Sequence, residues 1–398
     1  MTLARPPGAP ATPAQAQPSG PPIKVMIVDD SVFMRGILSK WLGESGEFAV
    51  VGTHPNGRRA ADDVQSSQPD VVILDLEMPD MDGLTALPLI LERKPNTAVL
   101  VASALSRRGA EVSLRALTLG AADYLPKPDS ARGPVAAEEF RTELLAKARS
   151  LGQRVRRRSM PRPPVGSTAG TPAAGTPATA PAAAPAKIPG LGRTDGKLRA
   201  YSRMPPALLA IGSSTGGPQA LTKLFADIGP FISRVPVLVV QHMPPTFTAI
   251  LAEHIARASG RRCAEGRDGE DLVAGQIYVA PGGLHMDVVQ SGGVSRIRLM
   301  DSAPVNFCKP AVDPMFESVA GIYGAAALSV VLTGMGSDGA RGALKIADLG
   351  GSVIAQDEES SVVWGMPGAT AAIGACAGIL PLVEIGPRVN RLLTGGRE

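Results

Sequence analysis

Cysteine and histidine are both scarce in this 398-residue chain, and each scarcity narrows the chemistry open to it. Its three cysteines, Cys263, Cys308 and Cys376, are odd in number, far apart and without metal-ligand spacing. Neither a disulfide framework nor a zinc site is indicated, and a reducing cytoplasm fits. Any histidine-dependent catalyst here must draw on four residues, His54, His242, His254 and His285. No segment approaches the roughly 18 apolar residues of a membrane span. The N-terminus reads Pro, Gly, Ala and Gln rather than basic and then apolar, so neither export nor membrane insertion is expected. A strong charge excess is missing too. Net charge is only +4, and much of it sits in the run Arg154, Arg156, Arg157, Arg158 and in Arg162. That pattern suits a solvated linker edge better than a nucleic-acid-binding face.

What is present is organised as two globular units, each long enough to bury its own core. Residues 1–22 form a Pro/Ala-rich tail with almost nothing to bury. From 23 to about 150, β-branched runs at 24–29, 48–53, 71–75, 97–103 and 122–126 alternate with amphipathic segments of helical length. This rhythm predicts a flavodoxin-like (βα)5 domain with a parallel sheet. Residues 151–204, rich in Pro, Ala, Gly, Thr and Arg, read as a long linker. From 205 to 398 the rhythm resumes, with strands expected at 207–211, 235–240, 276–280, 327–332 and 352–355. A second α/β domain, doubly wound and mainly parallel, is expected there.

In the first unit, Asp29 and Asp30 close the first strand and Asp75 closes the third, so a parallel sheet brings three carboxylates to one edge. Clustered carboxylates repel unless a cation is bound, and an oxygen-only donor set suits Mg²⁺. Ser103 ends the fourth strand and Lys127 the fifth, supplying a hydroxyl and a fixed cation for phosphoryl oxygens on Asp75. Taken singly, Asp29 or Asp30 serves equally well as a helix cap. The complete set resembles the receiver domain of two-component response regulators. The resemblance implies that Asp75 accepts phosphate from a histidine kinase, with Mg²⁺ held by Asp30, Asp75 and the Glu77 carbonyl, assisted by Asp29.

In the second unit, Gly212-Ser213-Ser214-Thr215-Gly216 follows an apolar strand and opens a helix, as in the G-x-S-x-G nucleophile turn. A Gly-rich helix cap that holds a phosphate is the alternative. A GxGxxG dinucleotide fingerprint is absent there. For a serine nucleophile the best base is His242, directly after the strand VPVLVVQ; His285, in APGGLH, is a second candidate or a positioning residue. Asp338 sits in the Gly-rich turn TGMGSDG and is the candidate third member, its competing role again a helix cap.

The runs IGSSTGGPQAL, VVQHMPPTFT, APGGLH and VLTGMGSDG behind a receiver resemble the chemotaxis response-regulator protein-glutamate methylesterases, the CheB family. The likeness spans both domains. It implies Ser214 as nucleophile, His242 as general base, Asp338 as its orienting partner and the Met335 amide as part of an oxyanion hole. It implies glutamate γ-methyl esters on methyl-accepting chemotaxis receptors as substrate, a chemotaxis histidine kinase as phosphodonor, and receptor glutamine deamidation as a natural second activity. It places no cofactor in the esterase chemistry. At Phe307 and Cys308 the sequence departs from the polar or basic residues usual in the family. A receiver-controlled esterase of another pathway is the rival enzyme; a DNA-binding output domain finds no short helical module to support it.

Overall fold

The computed structural model describes residues 20–128, 133–159 and 198–396. Most of the Pro/Ala tail and most of the expected linker therefore lie outside the described residues. The first sheet contains β1 (Ile23–Val28), β2 (Phe48–His54), β3 (Val71–Asp75), β4 (Ala98–Ser103) and β5 (Asp123–Pro126), in the order β2-β1-β3-β4-β5 and parallel throughout. All five residues of β3 and all six of β4 are buried, as continuous apolar strands covered on both faces must be. Helices α1 (Val32–Glu44), α2 (Gly57–Ser67), α3 (Gly83–Arg93), α4 (Arg107–Thr118) and α5 (Gly133–Ser159) complete the doubly wound unit.

Helix α5 runs through 151–159, which the composition assigned to the linker. The Arg run there is helix-compatible, and fully buried Ala148 and Leu151 anchor it to the sheet. Arg156 pairs with Asp70 at 2.9 Å, and Arg157 with Glu358 of the second domain at 2.8 Å.

The second sheet has seven parallel strands in the order β14-β13-β12-β6-β7-β9-β8. These are β6 (Leu208–Ser213), β7 (Val237–Gln241), β8 (Cys263–Glu265), β9 (Ile277–Val279), β12 (Ala327–Val331), β13 (Ser352–Gln356) and β14 (Gly378–Leu380). Each of the five expected strands is present to within two residues of its expected ends. The short edge strands β8 and β14 carry too few residues for a periodic signal. An antiparallel hairpin, β10 (His285–Ser291) with β11 (Val294–Met300), stands apart from the main sheet. Helices of this domain include α6 (Gly217–Ile228), α7 (Phe247–Ser259) and α8 (Val312–Tyr323). No helix among the described residues is long and apolar enough to cross a membrane.

The order reverses at β1/β3 in the first sheet and at β6/β12 in the second, and crevices form at the carboxyl ends of strands at such points. Both constellations found in the sequence lie at these crevices. The domains meet where α4 and β5 face α6 and α7, and where α5 reaches Met335 and Glu358. Buried Tyr124 stacks on buried Phe247, with ring centroids 4.9 Å apart and planes inclined by 17°. Gln219 Nε2 donates to the Ala121 carbonyl at 2.7 Å, and exposed Arg107 pairs with Glu253 at 3.1 Å. Exposed ion pairs contribute at most about 1 kcal/mol, so the apolar stack carries the contact.

Candidate active site and phosphoacceptor pocket

In the receiver-like domain Asp29 and Asp75 are buried and Asp30 is exposed. One carboxylate oxygen from each lies within 4.8 Å of the others. Lys127 Nζ reaches Asp29 at 2.9 Å and Asp75 at 2.7 Å. Burial pushes the Asp75 carboxyl above its ordinary value; Lys127 pulls it down, and Asp29 pushes it up again. Burial would lower Lys127, but the two aspartates outweigh it and hold the ammonium above its ordinary value. A pocket with three carboxylates and one ammonium remains short of positive charge, and its oxygen donors fit a hard divalent cation. Ser103 is buried, with its hydroxyl 2.5 Å from the Ser113 hydroxyl on α4 rather than bonded to Asp75.

The turn behind Asp75 tolerates no side chain at Gly83. A Cβ there would lie 2.2 Å from the Asp75 carbonyl oxygen and 2.8 Å from Leu76 Cα, both of them backbone. Gly83→Ala should therefore destabilise the receiver by about 2 kcal/mol or more, read as a lowered urea midpoint. An unchanged midpoint would mean the turn moves freely.

In the second domain three strand-end turns converge. Ser214 follows β6, and its amide donates to the Thr333 carbonyl at 3.0 Å, tying it to the turn after β12. Gly216, the cap of α6, has φ +74°, and a Cβ there would lie 2.4 Å from Val362 Cγ2. Buried Gln241 links the first two turns: its Oε1 accepts from the Ser213 hydroxyl at 2.7 Å, and its Nε2 donates to the Ser214 carbonyl at 2.9 Å. The Ser214 side chain is half-buried, and its hydroxyl bonds to no described residue.

His242 follows β7, with 11% of its side chain exposed, and its Nε2 lies 2.8 Å from Asp338 Oδ2. The other ring nitrogen, Nδ1, meets Cys308 Sγ at 3.4 Å. Burial alone would lower the imidazole, but Asp338 and Cys308 together raise it from 6.5 to about 10. Asp338 is 2% exposed and surrounded by donors. Besides His242, it accepts from the Val312 amide at 2.6 Å, the Asp313 amide at 3.2 Å and Asn306 Nδ2 at 3.0 Å. Burial opposes its charge, yet His242, the Val312 amide and Asn306 outweigh burial and hold the carboxyl below its ordinary value. The two amides are the free N–H groups at the start of α8, so the helix dipole adds to this stabilisation.

Met335 lies in the same turn, half-buried, and its amide donates to no described residue. The Ser150 hydroxyl of α5 points at Met335 Sδ, 3.7 Å away, which puts the receiver's last helix over this turn. The other histidines lie outside the cluster. His285 is fully buried, with Nδ1 accepting from the Ala311 amide and Nε2 donating to the Ala303 carbonyl, each at 3.1 Å. Both of its nitrogens are thus committed to bracing the 303–311 segment. His54 pairs with Asp63 at 3.0 Å, and His254 lies on α7. Sequence reasoning missed Gln241, Asn306 and the Cys308 contact. Gln241 left a signal, a polar residue ending a wholly apolar strand.

Such an arrangement defines a class: a two-domain response regulator whose output unit is an α/β domain with a hydrolase-type crevice. The profile described as the response regulator receiver domain matches residues 25–135, and that described as CheB methylesterase matches 209–389. The chain is 52% identical over 400 residues to the protein-glutamate methylesterase/protein-glutamine glutaminase of group 2 operon of Rhodopseudomonas palustris, covering 98% of each chain. It is also 52% identical over 383 residues to the protein of the same name in Bradyrhizobium diazoefficiens, covering 95% of this chain and 96% of that one. Among solved structures, the Thermotoga maritima CheB methylesterase catalytic domain is 38% identical, with a TM-score of 0.46, covering 48% of this chain and all of that one. The chain belongs to the CheB family of response-regulator methylesterases.

Proposed function

We propose that this protein hydrolyses glutamate γ-methyl esters on methyl-accepting chemotaxis receptors, releasing methanol, under control of phosphorylation at Asp75. The observation that carries the reading is the pair His242–Asp338, 2.8 Å apart, at the switch-point crevice where Ser214 opens α6. Because Asp338 occupies Nε2, Nδ1, which also meets Cys308 Sγ, is the nitrogen that serves Ser214.

In this mechanism Ser214 Oγ attacks the ester carbonyl while its proton passes to His242 Nδ1. The tetrahedral oxyanion is met by the free Met335 amide. Collapse breaks the bond to methoxide, which takes the proton back from Nδ1 and leaves as methanol. Water repeats the cycle on the acyl-serine, freeing the glutamate carboxylate. Asp338 holds the proton on Nε2 and stabilises the imidazolium. A glutamine amide enters the same cycle and releases ammonia, a second activity that the names of the relatives support.

In the receiver, Asp75 accepts phosphate from a histidine kinase, and Asp29, Asp30 and Asp75 would hold Mg²⁺. The ion supplies positive charge against the carboxylates and phosphoryl oxygens. Lys127 and Ser103 serve those oxygens from the ends of β5 and β4. The contact of α5 with the Met335 turn supports a covered resting form, and phosphorylation shifts the population toward an uncovered one.

The neutral imidazole is the active base, so its fraction falls tenfold per unit below a raised pKa. Methanol release should therefore climb with pH from roughly 7 to 9 instead of levelling off just above the ordinary histidine value. Cys308→Ala, by removing one contact that raises His242, should move that limb to lower pH. A limb centred near 6.5 in both proteins would contradict this protonation scheme.

A further inference from the structure

We propose that Cys308 is a site of reversible oxidation by hydroperoxides, and that its oxidation withdraws His242 Nδ1 from hydrolysis. The inference rests on the reading of His242 as the base. Its geometric ground is the row Asp338–His242–Cys308, with the carboxylate 2.8 Å from one ring nitrogen and the sulfur 3.4 Å from the other. A thiol against an imidazole backed by a carboxylate has a base in place to take its proton as the sulfur attacks. The other neighbour of the sulfur is the Asn306 carbonyl oxygen, also at 3.4 Å.

Access separates this thiol from the other two. Cys308 lies on a tight surface turn in which Asn306 and Phe307 take left-handed φ values of 52° and 63°, and Phe307 is fully exposed. Cys308 is itself partly open. Burial pushes the thiols of Cys263 and Cys376 up to about 12, which suppresses their thiolates.

As His242 Nδ1 takes the thiol proton, the sulfur attacks one peroxide oxygen; the S–O bond forms, the O–O bond breaks and the departing hydroxide takes that proton. Sulfur is oxidised by two electrons and hydrogen peroxide is reduced to water. The sulfenic oxygen then stands against Nδ1, where the Ser214 proton must go. A small thiol condenses with the sulfenic acid to a mixed disulfide, releasing water, and a second thiol frees Cys308 as the small disulfide departs.

The test treats the full chain with hydrogen peroxide, then measures methanol release from methylated receptor membranes alongside peptide mass analysis of dimedone-trapped sulfenic acid. Release should fall roughly 100-fold, in step with a dimedone adduct on the Cys308 peptide, and dithiothreitol should restore it when dimedone is left out. A Cys263→Ser/Cys376→Ser chain should respond like the wild type, and Cys308→Ala should hold its own starting rate through the same treatment. Absence of the adduct from Cys308, or peroxide resistance of the double variant, would overturn the proposal. His242→Ala, assayed without peroxide, tests the base assignment separately: retained release would remove that assignment whatever Cys308 does.

Discussion

Asp338→Asn should lower methanol release by roughly 10⁴-fold, more than simple loss of a charge would explain. All four partners of Asp338 present a proton to it: the Val312 and Asp313 amides, Asn306 Nδ2 and His242 Nε2. An asparagine keeps one accepting oxygen and turns an NH₂ toward the remaining donors. If the amide oxygen stays with the Asp313 amide and Asn306, the NH₂ takes the place of Oδ2 and faces both the Val312 amide and His242; Nε2 becomes the acceptor and the ring proton moves to Nδ1. That is the nitrogen required to take the Ser214 proton. The reverse flip keeps His242 and the Val312 amide on the oxygen and restores the tautomer, but it sets the NH₂ against the Asp313 amide and Asn306 Nδ2, leaving a buried donor unpaired at about 1–3 kcal/mol. Stability should therefore drop as well, and urea unfolding beside the methanol assay separates the two losses. Activity within tenfold of wild type would remove Asp338 from the mechanism.

Ser214→Ala should cost at least as much activity and almost no stability. Without a nucleophile the acyl-serine cannot form, and the expected loss is on the order of 10⁴- to 10⁶-fold. Because the Ser214 hydroxyl bonds to no described residue, the unfolding free energy should stay within about 0.5 kcal/mol of wild type. A stability loss at Asp338 and none at Ser214 distinguish a positioning group from a reacting one in the same crevice. A fluorophosphonate probe should label the wild type and spare the variant, and labelling of both would shift the nucleophile elsewhere.

Both crevices were legible in the sequence because parallel α/β topology converts one-dimensional information into position. A residue just after an apolar strand stands at the carboxyl edge, so Asp29, Asp75, Ser103 and Lys127 could be grouped before any coordinates, as could Ser214, His242 and Asp338. Contacts that depend on long loops were not legible. Asn306 reaches Asp338 across 32 residues and Cys308 reaches His242 across 66, both from a segment with no periodic pattern. The choice of ring nitrogen on His242 was equally hidden, since it follows from the direction in which Asp338 approaches. His285 shows the limit of strand-end logic: it occupies a strand-end turn like His242, but the adjacent backbone takes both of its nitrogens. The Arg run at 154–158 reads as linker by charge, yet it prolongs α5 because Leu151 and Ala148 have a sheet to pack against.

Helix α5 touches the second domain directly. Ser150 meets the Met335 turn and Arg157 meets Glu358, contacts that the proposed uncovering has to break. On the receiver side, Lys127 bridges Asp29 and Asp75, and a phosphoryl group on Asp75 must redraw both contacts. Tyr124, three residues before Lys127, stacks on Phe247 and lies directly on the route between pocket and interface.

The most direct test is methanol release from methylated receptor membranes by the full chain and by Asp75→Asn, each with and without a small-molecule phosphodonor. The wild type should release methanol slowly alone and at least about tenfold faster with the donor, an effect of roughly 1.4 kcal/mol on the covered-to-uncovered balance. Asp75→Asn should show the slow rate in both conditions. Equal stimulation of the two proteins, or no methanol from either, would contradict control of a Ser214 esterase by phosphorylation at Asp75.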